Sequence, residues 1–394
     1  MSLRIGLLLT LFSLAGCGSW IGTDEEIADP PAELVEFQPS LDIDRLWLKS
    51  TGKGTDEQFL MLVPVVVNQT IYIVDTNKKL IAMDVGTGRT VWTYELPLGS
   101  ISLWTRSDRV YITSGPGYGE NILLLGTNKG DVVAVNVETG EELWISKVSS
   151  EILSAPQVSN GTVVVRTVDG KVFGLNAASG RRLWTYDQAV PPLTLRGTSI
   201  PVVAEGIVIC GFDGGRLTAL DITSGRMIWE TSIATPSGRS ELERMVDIDA
   251  TPVIVEGIVY AVTYQGQLAA MMLNTGRVLW NLQLSSNAGF TIDGDNIYIT
   301  DDKSVISAID RLNGNTLWKQ EGLLNRQATR PTSIGNYIVV GDFEGYLHWM
   351  DKTTGAFSAR QQLAKERIIA APITSVDILY AYATNGRLAA YTYR

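Results

Sequence analysis

A chain of 394 residues, 45% hydrophobic and 19% charged, carries enough apolar material for a large packed core and is not the composition of a disordered protein. Its 38 glycines and runs such as Val163-Val164-Val165 and Tyr337-Ile338-Val339-Val340 have an all-β character. A formal net charge of -10 argues against nucleic acid or an anionic lipid surface as the principal partner.

The first segment holds Arg4, an apolar run from Ile5 to Leu14, and then Leu14-Ala15-Gly16-Cys17. A positive start, a short apolar stretch and a small-residue processing site read as a secretory signal. Leu-Ala-Gly-Cys resembles the bacterial lipoprotein signal, in which the cysteine is acylated and becomes the first mature residue. Residues 1–16 are therefore expected to be a signal peptide and Cys17 the lipidation site. Gly18 stands where that class carries Asp for inner-membrane retention, so the resemblance implies an outer-membrane location, lipid-anchored on the periplasmic side. Acyl chains contribute about 0.8 kcal/mol per buried CH₂, which anchors a protein without a transmembrane segment. No later stretch is long and apolar enough to span a bilayer as a helix. The other cysteine, Cys210, sits in the strand-like run Ile207-Val208-Ile209-Cys210 and reads as a small buried hydrophobe. Up to residue 40 the chain is acidic and proline-containing, with Asp24, Glu25, Glu26, Asp29, Pro30, Pro31, Glu33 and Pro39, so residues 17–40 are expected to be a flexible tether.

A repeat occupies residues 41–394. In residues 248–283 it shows four short apolar runs, centred on Val253, Tyr260, Leu268 and Trp280, separated by Glu256-Gly257, Gln265-Gly266 and Asn274-Thr275-Gly276. Four antiparallel strands in about 40 residues form one blade of a β-propeller. The middle turn recurs eight times, at Lys78-Lys79, Lys129-Gly130, Asp169-Gly170, Gly214-Gly215, Gln265-Gly266, Lys303-Ser304, Glu344-Gly345 and Asn385-Gly386. An eight-bladed all-β propeller is therefore expected. The last copy ends after three strands, and Asp44-Arg45-Leu46-Trp47-Leu48 supplies the fourth from the other terminus, which leaves the ring without a gap. A Gly-x-x-x-Trp unit recurs at Gly88/Trp92, Gly140/Trp144, Gly180/Trp184, Gly225/Trp229, Gly276/Trp280 and Gly314/Trp318, with Ala359 replacing the Trp after Gly355. Such a Trp can cover the next blade, so the Ala359 joint is expected to be the weakest. The sole histidine, His348, lies between Leu347 and Trp349 and reads as a core or rim residue, which leaves little room for His-based catalysis.

Ala82-Met83-Asp84-Val85-Gly86-Thr87-Gly88-Arg89-Thr90-Val91-Trp92 resembles the tryptophan docking motif of the pyrroloquinoline-quinone-dependent dehydrogenases, whose propellers have eight blades. Those enzymes share a vicinal Cys-Cys pair, a Ca²⁺ held by carboxylates and a catalytic Asp. The Cys-Cys pair has no counterpart in this sequence. Together with the lipoprotein signal, the repeat resembles the BamB family, accessory lipoproteins of the outer-membrane β-barrel assembly machinery. This likeness extends over nearly all of the mature chain. It implies a non-enzymatic scaffold without cofactor that docks onto the periplasmic domains of a BamA-type barrel subunit and assists insertion of β-barrel proteins. Pro191-Pro192-Leu193-Thr194-Leu195-Arg196-Gly197 and Glu241-Leu242-Glu243-Arg244-Met245-Val246-Asp247-Ile248-Asp249 match the family most specifically. The resemblance assigns partner binding to Leu193, Leu195, Arg196, Asp247 and Asp249.

Position in the repeat singles out the same two segments. Each joins the fourth strand of one blade to the first strand of the next, they flank the blade of Trp229, and both are longer than usual for such a connection. Arg196 offers a bidentate fork to a carboxylate, either on a partner or within the chain at Asp247 or Asp249. The pair Asp247-x-Asp249 could place two carboxylates together for Ca²⁺ or acid–base work, but no further oxygen ligands at loop spacing accompany it. Two rival readings are a quinone- or metal-dependent periplasmic oxidoreductase and a propeller that binds unfolded outer-membrane proteins by adding their strands to a blade edge.

Overall fold

The structure, a computed structural model, describes residues 29–394 apart from 56–57, 59, 98–109, 192, 194–196, 237–238 and 241. The signal peptide and Cys17 thus lie outside the described residues, as do Leu195 and Arg196.

Within the described residues, the strands form eight antiparallel sheets of four. Seven are consecutive in sequence: blades 1 to 7 span residues 65–95, 112–147, 157–187, 202–232, 253–283, 289–320 and 332–362. Blade 8 combines Ile373–Ser375, Ile378–Tyr382 and Arg387–Tyr393 with Ile43–Ser50 from the other end of the chain. Ile43 pairs with Tyr393 and Ser50 with Arg387, so the expected closing strand is present and is somewhat longer than Asp44–Leu48.

Burial follows from where each strand lies in its wedge. Second and third strands are covered on both faces by the neighbouring blades; Ile207–Phe212 is buried along its whole length, and apolar runs replace alternation. Outer strands alternate, as in Met227–Ser232, because one face meets water. The apolar core accordingly falls into eight clusters, one at each blade joint. Blade 8 meets blade 1 through Trp47, Tyr380 and Leu388 against Ile71 and Ile73, which closes the ring. Cys210 is buried at the joint of blades 3 and 4, where desolvation pushes its thiol up to about 12.

Each docking Trp lies over the turn glycine of the next blade. A Cβ on Gly276 would stand 2.5 Å from Trp229 Cε3, and one on Gly225 2.5 Å from Trp184 Cε3. These glycines also have φ of +67° and +68°, so the site requires glycine on two counts. The indole N–H donates to a carbonyl of that neighbouring blade, Trp229 Nε1 to Leu273 O at 2.7 Å and Trp184 Nε1 to Ile222 O at 2.8 Å. The repeated Asp serves the same turn: Asp221 Oδ1 accepts from Ser224 N at 2.8 Å, Ser224 Oγ at 2.6 Å and Thr223 Oγ1 at 2.7 Å. These hydrogen bonds hold the Asp221 carboxyl down to about 2.

The Ala359 joint departs from expectation. In the other blades the cross-strand partner of the Trp is small, as in Ala219↔Trp229, Ala270↔Trp280 and Ala390↔Trp47. In blade 7 the pair is reversed: Trp349 occupies the third strand and Ala359 the outer one. Trp349 is fully buried at the joint with blade 8, among Val339, Leu379 and Tyr391. The joint therefore keeps its aromatic bulk. Blade 8 draws its third and fourth strands from opposite ends of the chain, so it has no hairpin turn against which an outer Trp could dock.

His348 is buried, a core residue rather than a rim one. Its Nδ1 accepts from Arg360 Nε at 3.2 Å, which leaves the ring proton on Nε2 facing Asp342 Oδ2 at 3.0 Å. Desolvation pulls its basicity below the ordinary value.

Candidate functional site

The two long connections meet over blade 4. All connections from an outer strand to the next first strand emerge on one face of the ring, together with the turns between second and third strands. On that face, Asp247 forms an isolated antiparallel bridge with Asp213, at the start of the Asp213-Gly214-Gly215 turn of blade 4. Asp247 Oδ1 accepts from Gly214 N at 3.3 Å, and its carbonyl accepts from Tyr264 N at 2.8 Å. The first connection arrives from the other side: a Cβ on Gly197 would stand 2.8 Å from Asp249 Cγ, and one on Gly214 3.9 Å from Pro191 Cγ. The adjacency expected from the repeat is thus present in the backbone.

Beneath these loops lies a charge cluster that the sequence reading missed in part. Arg166 ends the second strand of blade 3, only 2% exposed, and its Nη2 stands 3.7 Å from Asp213 Oδ1. Its guanidinium lies 5.0 Å over the ring of Phe212, and Nη1 donates to Ser199 Oγ at 3.4 Å. Ser199 in turn bonds both backbone groups of Gly211, tying the first connection to blade 4. The signal was an arginine closing the run Val163-Val164-Val165, a position where an unpaired charge is costly and an acidic neighbour is to be sought.

The two acids differ from exposed docking carboxylates. Asp247 is 1% and Asp249 7% exposed. Burial raises the Asp249 carboxyl to about 7; Asp247 and Asp213 push the same way, and Arg166 pulls it back. Asp213 is likewise raised by burial, against the pull of Arg166. Asp249 Oδ1 has no hydrogen-bond partner among the described residues. The carboxyls of Asp247 and Asp249 thus lie beneath the surface of the described loops.

Among the described residues, these loops expose three large apolar side chains beside polar and charged ones such as Arg239, Glu243 and Arg244. Val190, Leu193 and Leu242 are 38%, 42% and 65% exposed, two on the first connection and one on the second. Leu242 lies in the turn Ser240–Arg244, where Glu243 Oε2 accepts from Arg239 N and Ser240 N, an acid-capped turn that holds the leucine outward. Among the described residues, no group of three or more His, Cys, Asp or Glu side chains is arranged to hold a metal ion.

Fold and site together define an eight-bladed propeller with Trp-docked blades that carries exposed leucines on two long loops of one face. The chain belongs to the family described as Outer membrane protein assembly factor BamB, whose family model matches residues 99–320 and 302–394. A protein of that name from Xanthomonas campestris is 35% identical over 398 residues, covering 98% of this chain and 97% of its own. The crystal structure of BamB from Moraxella catarrhalis, 26% identical, superposes with a TM-score of 0.78 over 89% of this chain and 100% of that one. The quinohemoprotein alcohol dehydrogenase ADHIIG from Pseudomonas putida, 14% identical with a TM-score of 0.68 over 89% of this chain and 76% of that one, shares the fold alone.

Proposed function

We propose that this protein is a non-enzymatic scaffold of outer-membrane β-barrel assembly, tethered by a lipid on Cys17 to the periplasmic side of the outer membrane. Its partner is the central barrel subunit of that machinery, a BamA-type protein, met through its periplasmic domains. The docking surface is the pair of loops on either side of blade 4. Leu193 and Leu242 supply apolar contact together with Leu195, and Arg196 supplies a charged fork toward an acidic group. Asp247 and Asp249 act underneath, shaping the loops with Arg166 and Asp213. The observation that carries this reading is the convergence of two long loops, each with exposed leucine, on one buried charge cluster. Long loops held on a rigid scaffold are where binding residues tend to lie, and arginine is among the side chains that dominate interfaces. Family membership supplies the assembly role.

The test is affinity isolation of the full-length protein from membranes. Leu193→Asp and Leu242→Asp should each release the barrel subunit, whereas Leu312→Asp, 65% exposed on the opposite face, should retain it. Retention at normal yield by both loop variants would refute this surface. Stoichiometric quinone in the purified protein would refute the scaffold reading in favour of an oxidoreductase.

A further inference from the structure

Residues Ala32–Ser40, the end of the expected tether, lie along the outer edge of blade 7. Ala32 N donates to Leu324 O at 2.9 Å and Ala32 O accepts from Arg326 Nη1 at 2.9 Å. Arg326 is itself fixed: its Nε and Nη2 donate to Asp342 Oδ2 at 2.9 and 2.8 Å, it pairs with Glu344, and its guanidinium lies 5.0 Å over Phe343. Further along, Phe37 stacks on Phe357 at 5.6 Å, with Arg360 5.1 Å over its ring. At the far end Ser40 N donates to Ser358 O at 2.9 Å.

Blade 7 is adapted to this cover. In other blades the residue before the docking Trp is an exposed aliphatic, Val91, Leu143, Ile228 and Leu317 among them. The equivalent in blade 7 is Ser358, only 3% exposed. The segment is therefore a built strap, with a direction. Leu324 and Arg326 belong to the connection from blade 6 to blade 7, the same class of connection that carries Asp247 and Asp249. Ser40, beside the start of the blade 7 outer strand, lies toward the opposite face, where Asp42 exchanges backbone hydrogen bonds with Arg394.

We infer that the strap makes the anchor leave the ring on the face that carries the docking loops, so that this face is turned toward the membrane. This rests on Cys17 as the lipidated residue. From Cys17 to Ala32 there are 15 residues, a reach of at most about 50 Å. Without the strap the tether would start near Asp42 on the opposite face, 25 residues from Cys17, with a reach of about 80 Å. The strap shortens the leash and chooses the side from which it is held. A partner docked on Leu193 and Leu242 would then lie between the propeller and the bilayer, where a membrane-embedded subunit presents its periplasmic part.

The test uses full-length protein purified from membranes and returned to vesicles of phosphatidylethanolamine and phosphatidylglycerol with headgroup-linked energy acceptors. A donor dye is placed at Lys303→Cys, on the docking-loop face of blade 6, or at Leu312→Cys on the opposite face. Cys210 is buried and Cys17 acylated, so labelling is confined to the new thiol. Transfer should be stronger from position 303 than from 312. The difference should be lost in Ala32→Pro/Phe37→Lys, which removes one backbone donor and sets a like charge against Arg360 while leaving the blades untouched. Equal transfer from both positions in the parent, or a difference that survives the strap variant, overturns the inference. Mass spectrometry and flotation separate the two layers: protein without acyl mass on Cys17 that fails to float refutes the anchor and the orientation with it, whereas acylated, floating protein with equal transfer refutes the orientation alone.

Discussion

Asp249→Asn isolates the energetic cost of the buried acid. The carboxyl titrates near 3.8 when the chain is unfolded and is raised to about 7 by burial in the folded protein. Between these values the folded state holds the proton more tightly, so stability is greatest at the acid end and falls as pH rises from about 4 to about 7. Above that both states are ionised and the contribution is flat. At about 1.4 kcal/mol per unit, the carboxyl costs about 2 kcal/mol at pH 5 and about 4 kcal/mol at pH 8. The asparagine variant carries no such dependence. Urea unfolding of both proteins at pH 5 and pH 8 should therefore show the difference between variant and parent moving by about 2 to 3 kcal/mol in favour of the variant at the higher pH. Parallel pH profiles for the two proteins would refute the raised carboxyl. A pH dependence of opposite sign, with the parent gaining at high pH, would mean that the acid is held as an anion by a counter-charge.

Other substitutions probe Arg166, the turn glycines and the blade 7 joint. Arg166→Met removes the cation that, among the described residues, pulls the Asp249 carboxyl downward, so the midpoint of that group, followed by carboxyl-carbon NMR, should move up from about 7. Gly276→Ala meets both a Trp ring and a positive φ and should cost about 2 kcal/mol or more; Gly257→Ala, with a φ of +74° and nothing within 4 Å, should cost only the backbone share of about 1 kcal/mol. Equal losses would show that the Trp can move aside. Trp349→Ala should cost about 3 to 5 kcal/mol, in the same range as Trp229→Ala, because the reversed pair gives blade 7 the same aromatic bulk, although Trp349 Nε1, unlike that of Trp229, has no hydrogen-bond partner among the described residues. A markedly smaller loss for Trp349 would restore the expectation of a weak joint at Ala359.

The blade count was legible because the repeat writes it many times over: a turn at Gly214 or Gly266 marks the same bend in each copy, and Trp229 and its equivalents mark each joint. Closure by the Trp47 strand was legible for a related reason, an orphan copy of the unit at one end and a missing strand at the other. The reversal in blade 7 was not. Seen along the chain, Ala359 is a lost Trp; only the cross-strand register shows that Trp349 has taken its volume. Loop convergence was derivable from topology, but burial was not, since Asp247 and Asp249 look in sequence like surface acids and become enclosed only when Gly197 and the Gly214 turn close over them. Arg166 was hidden because its acid partner, Asp213, belongs to the next blade. The strap was hidden for a similar reason: Pro31, Glu33 and Pro39 have the composition of a linker, and only Arg326, Phe357 and Ser358, some 290 residues or more downstream, give it a seat.

The pairing of Ile43–Ser50 with Arg387–Tyr393 also sets an order of events. A strand made near the beginning of the chain has no partner until almost the last residue is available, so the ring cannot be sealed while any blade is outstanding. Joining segments some 350 residues apart in a free chain would cost about 5 kcal/mol in loop entropy. Once blades 1 to 7 are stacked, that loss has already been taken up by the intermediate joints, and sealing becomes a local step between surfaces held near each other. Closure is thus both last and easy. It acts as a completeness check: a chain cut short at its end keeps an unpaired β edge at Ile43–Ser50, open to pairing with other chains or to proteolysis.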